Sequence, residues 1–200
     1  SIEMAAVLNA SNMTVPLKGL TYPSLSVDDL PKKLIPKKYG GLLNKKNQVE
    51  VISCIDSNKK PLKNDLRWGV FIVFKGKNKY VQNCFLQYGM NVDKSGSFTA
   101  LWRPYHFIGL ELAQSIYSII LNNSSTGRTL HYKADVAAYA KTDIYPGDIL
   151  DGEGGYKVRG NVISADFSKK NKILPLGLTD GIKAKNFIQK DAIIKYDDVE

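Results

Sequence analysis

Between residues 49 and 103, four runs rich in β-branched and aromatic residues are separated by connectors too short to carry a crossover helix. The runs are VEVISCID (49–56), RWGVFIVF (67–74), KYVQNCFLQYG (79–89) and SFTALWR (97–103). The connectors SNKKPLKND, KGKN and VDKSG are built from turn residues. Parallel neighbours need a dozen or more connecting residues, so these runs predict an antiparallel meander of about four strands. The nearly continuous apolar character of 67–74 predicts a strand buried on both faces.

The flanks differ in character. IEMAAVLNA near the start has Ile2, Ala5, Ala6 and Asn9 on one helical face. No capping box precedes it, which raises the expectation that more chain comes before Ser1. Residues 14–47 read as loop-rich, because Pro16, Pro23, Pro31 and Pro36 interrupt any long element, with one short helix expected in SVDDLPKKLI near Asp28 or Asp29. After the meander, Leu112, Ile116, Ile119 and Ile120 follow helical spacing, and Asn122 to Gly127 end the helix. The polar stretch NNSSTGRT marks a boundary, giving an expected sheet domain over 1–127 with a helix at about 109–122, and a small β domain over 128–200. The β domain carries an internal echo. AKTDIYPGDIL (140–150) and AKNFIQKDAII (184–194) share Ala, Lys and two Ile at the same offsets, which suggests two facing units related by pseudo-symmetry.

Charge and cysteines bound the function classes. The formal charge is +9, almost all of it lysine scattered in pairs at turn positions, with only four arginines. A nucleic-acid reader concentrates its charge and interleaves aromatics, so solvated loops are expected rather than a nucleic-acid face, although a positive chain favours an anionic substrate. Cys54 and Cys84 stand alone in apolar contexts and read as small buried hydrophobes in a reducing, cytoplasmic setting. No apolar run reaches the roughly 20 residues of a membrane span, and no signal peptide is evident at the start. With two histidines and two cysteines at unrelated places, no metal site is expected. GEGGYKVRG (152–160) imitates a dinucleotide fingerprint but has Lys157 where the last glycine belongs, and reads as a turn-rich loop.

One cluster remains. Arg103, Tyr105, His106 and Glu111 fall within RPYHFIGLE, just ahead of the helix. An arginine fork suits a phosphate or carboxylate, and histidine is the side chain whose ordinary titration lies nearest neutrality. Tyr105 can donate to a carbonyl, and Glu111 sits where a helix start favours negative charge. Either these residues line a site, or Arg103 and Glu111 are structural partners that cap and anchor the helix. Glu3, Asn9 and Asn12 read as ordinary helix polar residues, and His131 as an exposed linker residue.

The strings RPYHFIGLE, DVAAYAKTDIYPGDILDGEGGY and LPLGLTDGIK resemble the C-terminal half of homoserine-dehydrogenase-like NAD(P)-dependent oxidoreductases that end in a SAF domain. IEMAAVLNASNM, GLTYP, RWGVFIVF and QYGMNVDKSG extend the resemblance over essentially the whole chain, nearest to the deoxyxylulose phosphate reductoisomerase-like group of isoprenoid-precursor enzymes. The resemblance implies an α+β fold: a mainly antiparallel substrate domain with flanking helices, then a SAF-like β-clip domain, with the N-terminal Rossmann domain missing. It implies hydride transfer between NADP or NAD and a small polar, phosphorylated, sugar-like substrate in the full-length enzyme. No cofactor is expected on this chain alone, which should be inactive. By the same resemblance Arg103 grips the substrate anion, His106 or Tyr105 serves its oxygen, and Glu111, Asn9 and Asn12 join the substrate shell. Expected partners are a small anionic substrate and further copies of the chain, with no nucleic acid and no membrane. The rival expectation is a non-catalytic SAF-type module for carbohydrate binding or oligomerisation.

Overall fold

The computed structural model describes residues 1–16 and 19–200. The chain divides into two compact units, one formed by Ser1–Leu20 with Gly127–Glu200, the other by Thr21–Thr126. The first twenty residues, expected with the sheet domain, therefore belong to the unit of the C-terminal residues. The reason is local: helix α1 (Ile2–Ala10) buries Ala5 and Leu8, and it packs on strands β3 (Ala134–Ala140) and β5 (Val158–Ser164).

In that unit β3 and β5 pair antiparallel from Ala134↔Ser164 to Ala140↔Val158. Alanine-rich β3 lets neighbours approach closely. Gly160 on β5 serves the same end, since a Cβ there would lie 2.6 Å from Leu176 Cδ2 and 2.7 Å from Val136 Cγ1. A second pair joins β4 (Ile149–Asp151) to β6 (Asp180–Lys183), with the short helix α5 (Ala165–Lys170) after β5. The echo is realised in the backbone. Ile144 and Ile188 exchange both N–H···O bonds at 2.9 Å. Around that centre the Gly147 N–H donates to Ala184 O and the Asp191 N–H to Ala140 O, at matching offsets. Gly147 and Asp191 are both left-handed, with φ of 90° and 66°. Ile144, Ile188, Leu150 and Ile194 are all buried in one cluster. Each such side chain contributes about 2–3 kcal/mol by burial, so the apolar positions of the echo are the core of this unit.

The Thr21–Thr126 unit departs from the expected meander. It holds one two-stranded antiparallel sheet, β1 (Val70–Lys75) with β2 (Phe98–Arg103), in register from Val70↔Arg103 to Lys75↔Phe98. Residues 79–89, read as a strand, instead form helix α3 (Lys79–Gln87). The Asn78 side chain caps it by accepting from the Val81 N–H at 3.0 Å. Phe85 is buried edge-on against Phe74 at 5.7 Å. Val81, Cys84 and Phe85 carry the helical spacing, which outweighed the β-branched and aromatic composition. Residues 49–56 form no strand but only isolated bridges, Ser24↔Ser53 and Ile55↔Pro61. Nor is β1 buried on both faces. Phe71 and Val73 pack inward with Leu25, Leu30 and Leu34, Leu30 lying on the short helix α2 (Leu30–Lys33), while Val70 and Ile72 are exposed. The buried Glu50 carboxylate ties residues 21–22 to 50–51, accepting from the N–H groups of Thr21, Tyr22 and Val51 and from Thr21 Oγ1. Helix α4 (Leu112–Asn122) forms where expected, yet buries none of its residues, and Ile120 stays 70% exposed.

Candidate functional site

The site grows from the end of β2. Asp93 closes the turn before that strand, accepting from the N–H groups of Ser95, Ser97 and Phe98. Burial pushes its carboxyl up, but these donors and the Ser95 hydroxyl outweigh it and hold the group below the usual carboxylate range. The strand then runs to Arg103, opposite Val70, where Pro104 ends it. The seven residues that follow fold back as a loop ahead of α4.

Four polar side chains converge there. The Arg103 guanidinium forms an ion pair with the Glu111 carboxylate and lies over the Tyr105 ring, 5.7 Å from its centroid. Tyr105 stacks on Phe107 with rings 3° from parallel and centroids 5.8 Å apart. Nδ1 of His106 lies 2.7 Å from the Trp68 carbonyl oxygen. Together these residues face a cleft of about 210 Å³, with Val70, Phe107 and Leu110 as its apolar wall. So Arg103, Tyr105, His106 and Glu111 are brought together. Arg103 and Glu111 are also the structural partners the alternative foresaw. They do not cap the helix: Glu111 occupies the N-cap position without a side-chain capping bond. An anion approaching Arg103 meets a guanidinium already paired, and must compete with Glu111 for it.

Asn9 and Asn12 belong to the other compact unit. The Asn9 side chain is engaged with backbone, accepting from the Lys133 and Ala134 N–H groups at 2.8 and 3.0 Å and donating to Ala134 O at 3.0 Å. Its amide clamps the segment entering β3. Asn12 is exposed. His131 is exposed as expected, and its N–H donates to Asn9 O at 2.9 Å. Cys54 and Cys84 are free and half-buried, less enclosed than the sequence suggested.

Trp68 and Gly69 escaped the sequence reading because RWGVFIVF reads as one apolar run. Residues 66–69 form a turn in which the Gly69 N–H donates to Leu66 O at 2.9 Å. Trp68 sits in its third position at φ 65°, a place suited to Gly or Asn. A bulky residue held there costs about 1–2 kcal/mol. Gly69 is obligatory for close approach, since a Cβ would lie 2.3 Å from Trp102 Nε1 and 2.8 Å from Arg103 O. The Trp-Gly pair inside an apolar run was the available signal.

In the C-terminal unit the GEGGY loop is closed on itself. The Asp151 carboxylate accepts from the Tyr156 and Lys157 N–H groups, and Lys141 Nζ donates to Gly155 O. Burial raises the Asp151 carboxyl, but the backbone donors outweigh it and hold the group low. The protein's own carboxylate thus fills the cradle that a phosphate-binding loop would offer. Among the described residues no group of three or more His, Cys, Asp or Glu side chains is placed to hold a metal ion, and no helix is long and apolar enough to cross a membrane.

Two family models match the sequence. The one described as the catalytic domain of oxidoreductase DRL covers residues 1–112, and the SAF domain model covers residues 135–200. No curated protein matches the chain.

Proposed function

Since the chain belongs to the DRL oxidoreductase family and carries a SAF domain, we propose that it serves NAD(P)-dependent oxidation or reduction of a small polar, phosphorylated, sugar-like substrate, as in the deoxyxylulose phosphate reductoisomerase-like enzymes of isoprenoid-precursor synthesis. The observation that carries this reading is the convergence of Arg103, Tyr105 and His106 on one cleft at the end of β2. At about 210 Å³ the cleft is smaller than the roughly 300–1,000 Å³ of typical small-molecule pockets. Its residues fit the reacting end of a substrate rather than a dinucleotide, and no residue of this chain is assigned to the cofactor.

The nicotinamide supplies or accepts the hydride when bound. The chain's residues handle the rest. Arg103 holds the substrate anion once Glu111 yields it. His106 passes a proton to or from the substrate oxygen, and the Tyr105 hydroxyl donates to the same oxygen. Val70, Phe107 and Leu110 give the carbon skeleton of the substrate an apolar wall. The reading includes a cytoplasmic setting, supported by two free cysteines, and pairing of copies, supported by the uncovered apolar residues of α4.

His106→Ala in the full-length enzyme, assayed with both nicotinamides, tests the reading. Turnover is expected to fall by about 10²–10⁴-fold. A near-wild-type rate in a normally folded variant removes His106 from the reaction.

A further inference from the structure

We infer that Trp68 is a positioning residue for His106, acting through its backbone rather than its indole. The inference rests on the reading of His106 as the proton-transfer group, and adds to it the atom that carries the proton. A carbonyl oxygen only accepts hydrogen bonds. The nitrogen 2.7 Å from Trp68 O must therefore be the donor, which puts a proton on Nδ1. In the neutral ring Nε2 is then the lone-pair atom, and no described residue hydrogen-bonds it. His106 borders the cleft, so Nε2 is the ring nitrogen left to a substrate oxygen.

The geometry that sets this up is unusual for its residue type. Trp68 holds φ 65° in a turn closed by Gly69 N–H and Leu66 O. The residue is 66% exposed, so indole burial does not explain the conformation. What the left-handed backbone accomplishes is the aim of the carbonyl. Gly69, pressed against Trp102 and the Arg103 carbonyl, fixes the next residue of the turn against the strand from which the His106 loop departs. A strained backbone beside a functional group is a recurrent way of holding that group in place. Tautomer control by a hydrogen bond to the other ring nitrogen is how histidines are prepared for one-sided proton transfer.

The chain has two histidines, His106 and His131, so ¹⁵N-histidine NMR decides the matter, with His131→Gln assigning the spectra. Above the midpoint of its own titration in those spectra, His106 is expected to show a protonated Nδ1 and a bare Nε2. A protonated Nε2, or an averaged mixture, overturns the inference. Trp68→Gly keeps the carbonyl and tolerates positive φ, and is expected to retain the Nδ1–H form; its loss there overturns the backbone role. Trp68→Val strongly disfavours that conformation and is expected to release the ring. In the full-length enzyme it should lower kcat by about tenfold or more with KM little changed. A folded Trp68→Val with an unchanged Nδ1–H signal also overturns the inference, and if that variant fails to fold, the wild-type and Trp68→Gly spectra still decide. The spectra need no turnover. A fixed Nδ1–H form beside an active His106→Ala enzyme removes the proposed catalysis and leaves the positioning intact; a free ring beside an inactive His106→Ala enzyme does the reverse.

Discussion

In the unit made of Ser1–Leu20 and Gly127–Glu200, the apolar positions of the echo, Ile144, Ile188, Leu150 and Ile194, interlock around paired backbone bonds and are buried. In Thr21–Thr126, Val70, Ile72 and Leu101 on the sheet and Ile116, Ile119 and Ile120 on α4 stand open. Asp151 is satisfied by its own loop, and Asp148 by Lys157. Arg103, by contrast, is half exposed on a cleft with a single carboxylate beside it. Both units carry exposed apolar side chains, Ile149, Tyr156 and Phe187 among those of the first, but in Thr21–Thr126 they include every apolar residue of α4, and the cleft bordered by Arg103 lies in that same unit, open to a ligand.

The sharpest way to break this contrast is by core deletion. Ile144→Ala is expected to destabilise the C-terminal unit by about 3–4 kcal/mol, through lost burial and the cavity left behind. Ile120→Ala on α4 should change stability by no more than about 0.5 kcal/mol. Urea unfolding followed by circular dichroism measures both. A cost for Ile120→Ala approaching that of Ile144→Ala would mean that α4 is covered in solution and that the two units do not differ in this way.

A smaller effect separates the carboxylates. Asp93 and Asp151 are both held below the ordinary range when folded. Each therefore contributes stability that is fully present above its unfolded value near 4 and is lost as pH falls through the depressed folded value. Asp93→Asn and Asp151→Asn should each cost about 1–2 kcal/mol at pH 7, with the gap from wild type shrinking below about pH 4. Unfolding midpoints across pH 2–7 give the test. A gap that stays constant with pH would show that the amide, and not the charge, is the poorer partner for those turns.

The regions also differed in how far their sequences could be read. The tail was legible because its echo repeats a backbone arrangement: positive φ at Gly147 and Asp191 and buried isoleucines at matching offsets leave the same trace twice. Helix α4 was legible from spacing alone, and the cluster Arg103–Glu111 from polar residues crowded at a helix start. Residues 79–89 misled because Tyr, Val and Phe suggest a strand, whereas the Asn78 cap and the burial of Phe85 decide for helix. Residues 49–56 misled because their apolar side chains serve a loop organised by the Glu50 carboxylate, a long-range bond that no local pattern displays. Asn9 was singled out for its type, but its partners are backbone atoms more than 120 residues away. The Trp68 carbonyl was invisible for a related reason, since a backbone direction leaves no mark in side-chain periodicity.

The smallest expected effect bears most directly on the open cleft. The Arg103–Glu111 pair is exposed on both sides, so Glu111→Gln should alter stability by less than about 1 kcal/mol. Its consequence lies in binding. If an anion must displace Glu111 to reach Arg103, removing that charge should tighten inorganic phosphate binding roughly two- to five-fold, the scale of an exposed ion pair. The chain's two tryptophans, Trp68 and Trp102, both belong to the unit that carries the cleft, so their fluorescence can follow the titration at low salt, where screening is weakest. Asp191→Asn is the matched control, because it removes a comparable exposed partner from Arg159 in the other unit and should leave the phosphate affinity read from the tryptophans at its wild-type value. Equal gains from both variants would reflect net charge alone. A gain confined to Glu111→Gln, abolished by adding Arg103→Met, would identify Arg103 as the anion-binding group.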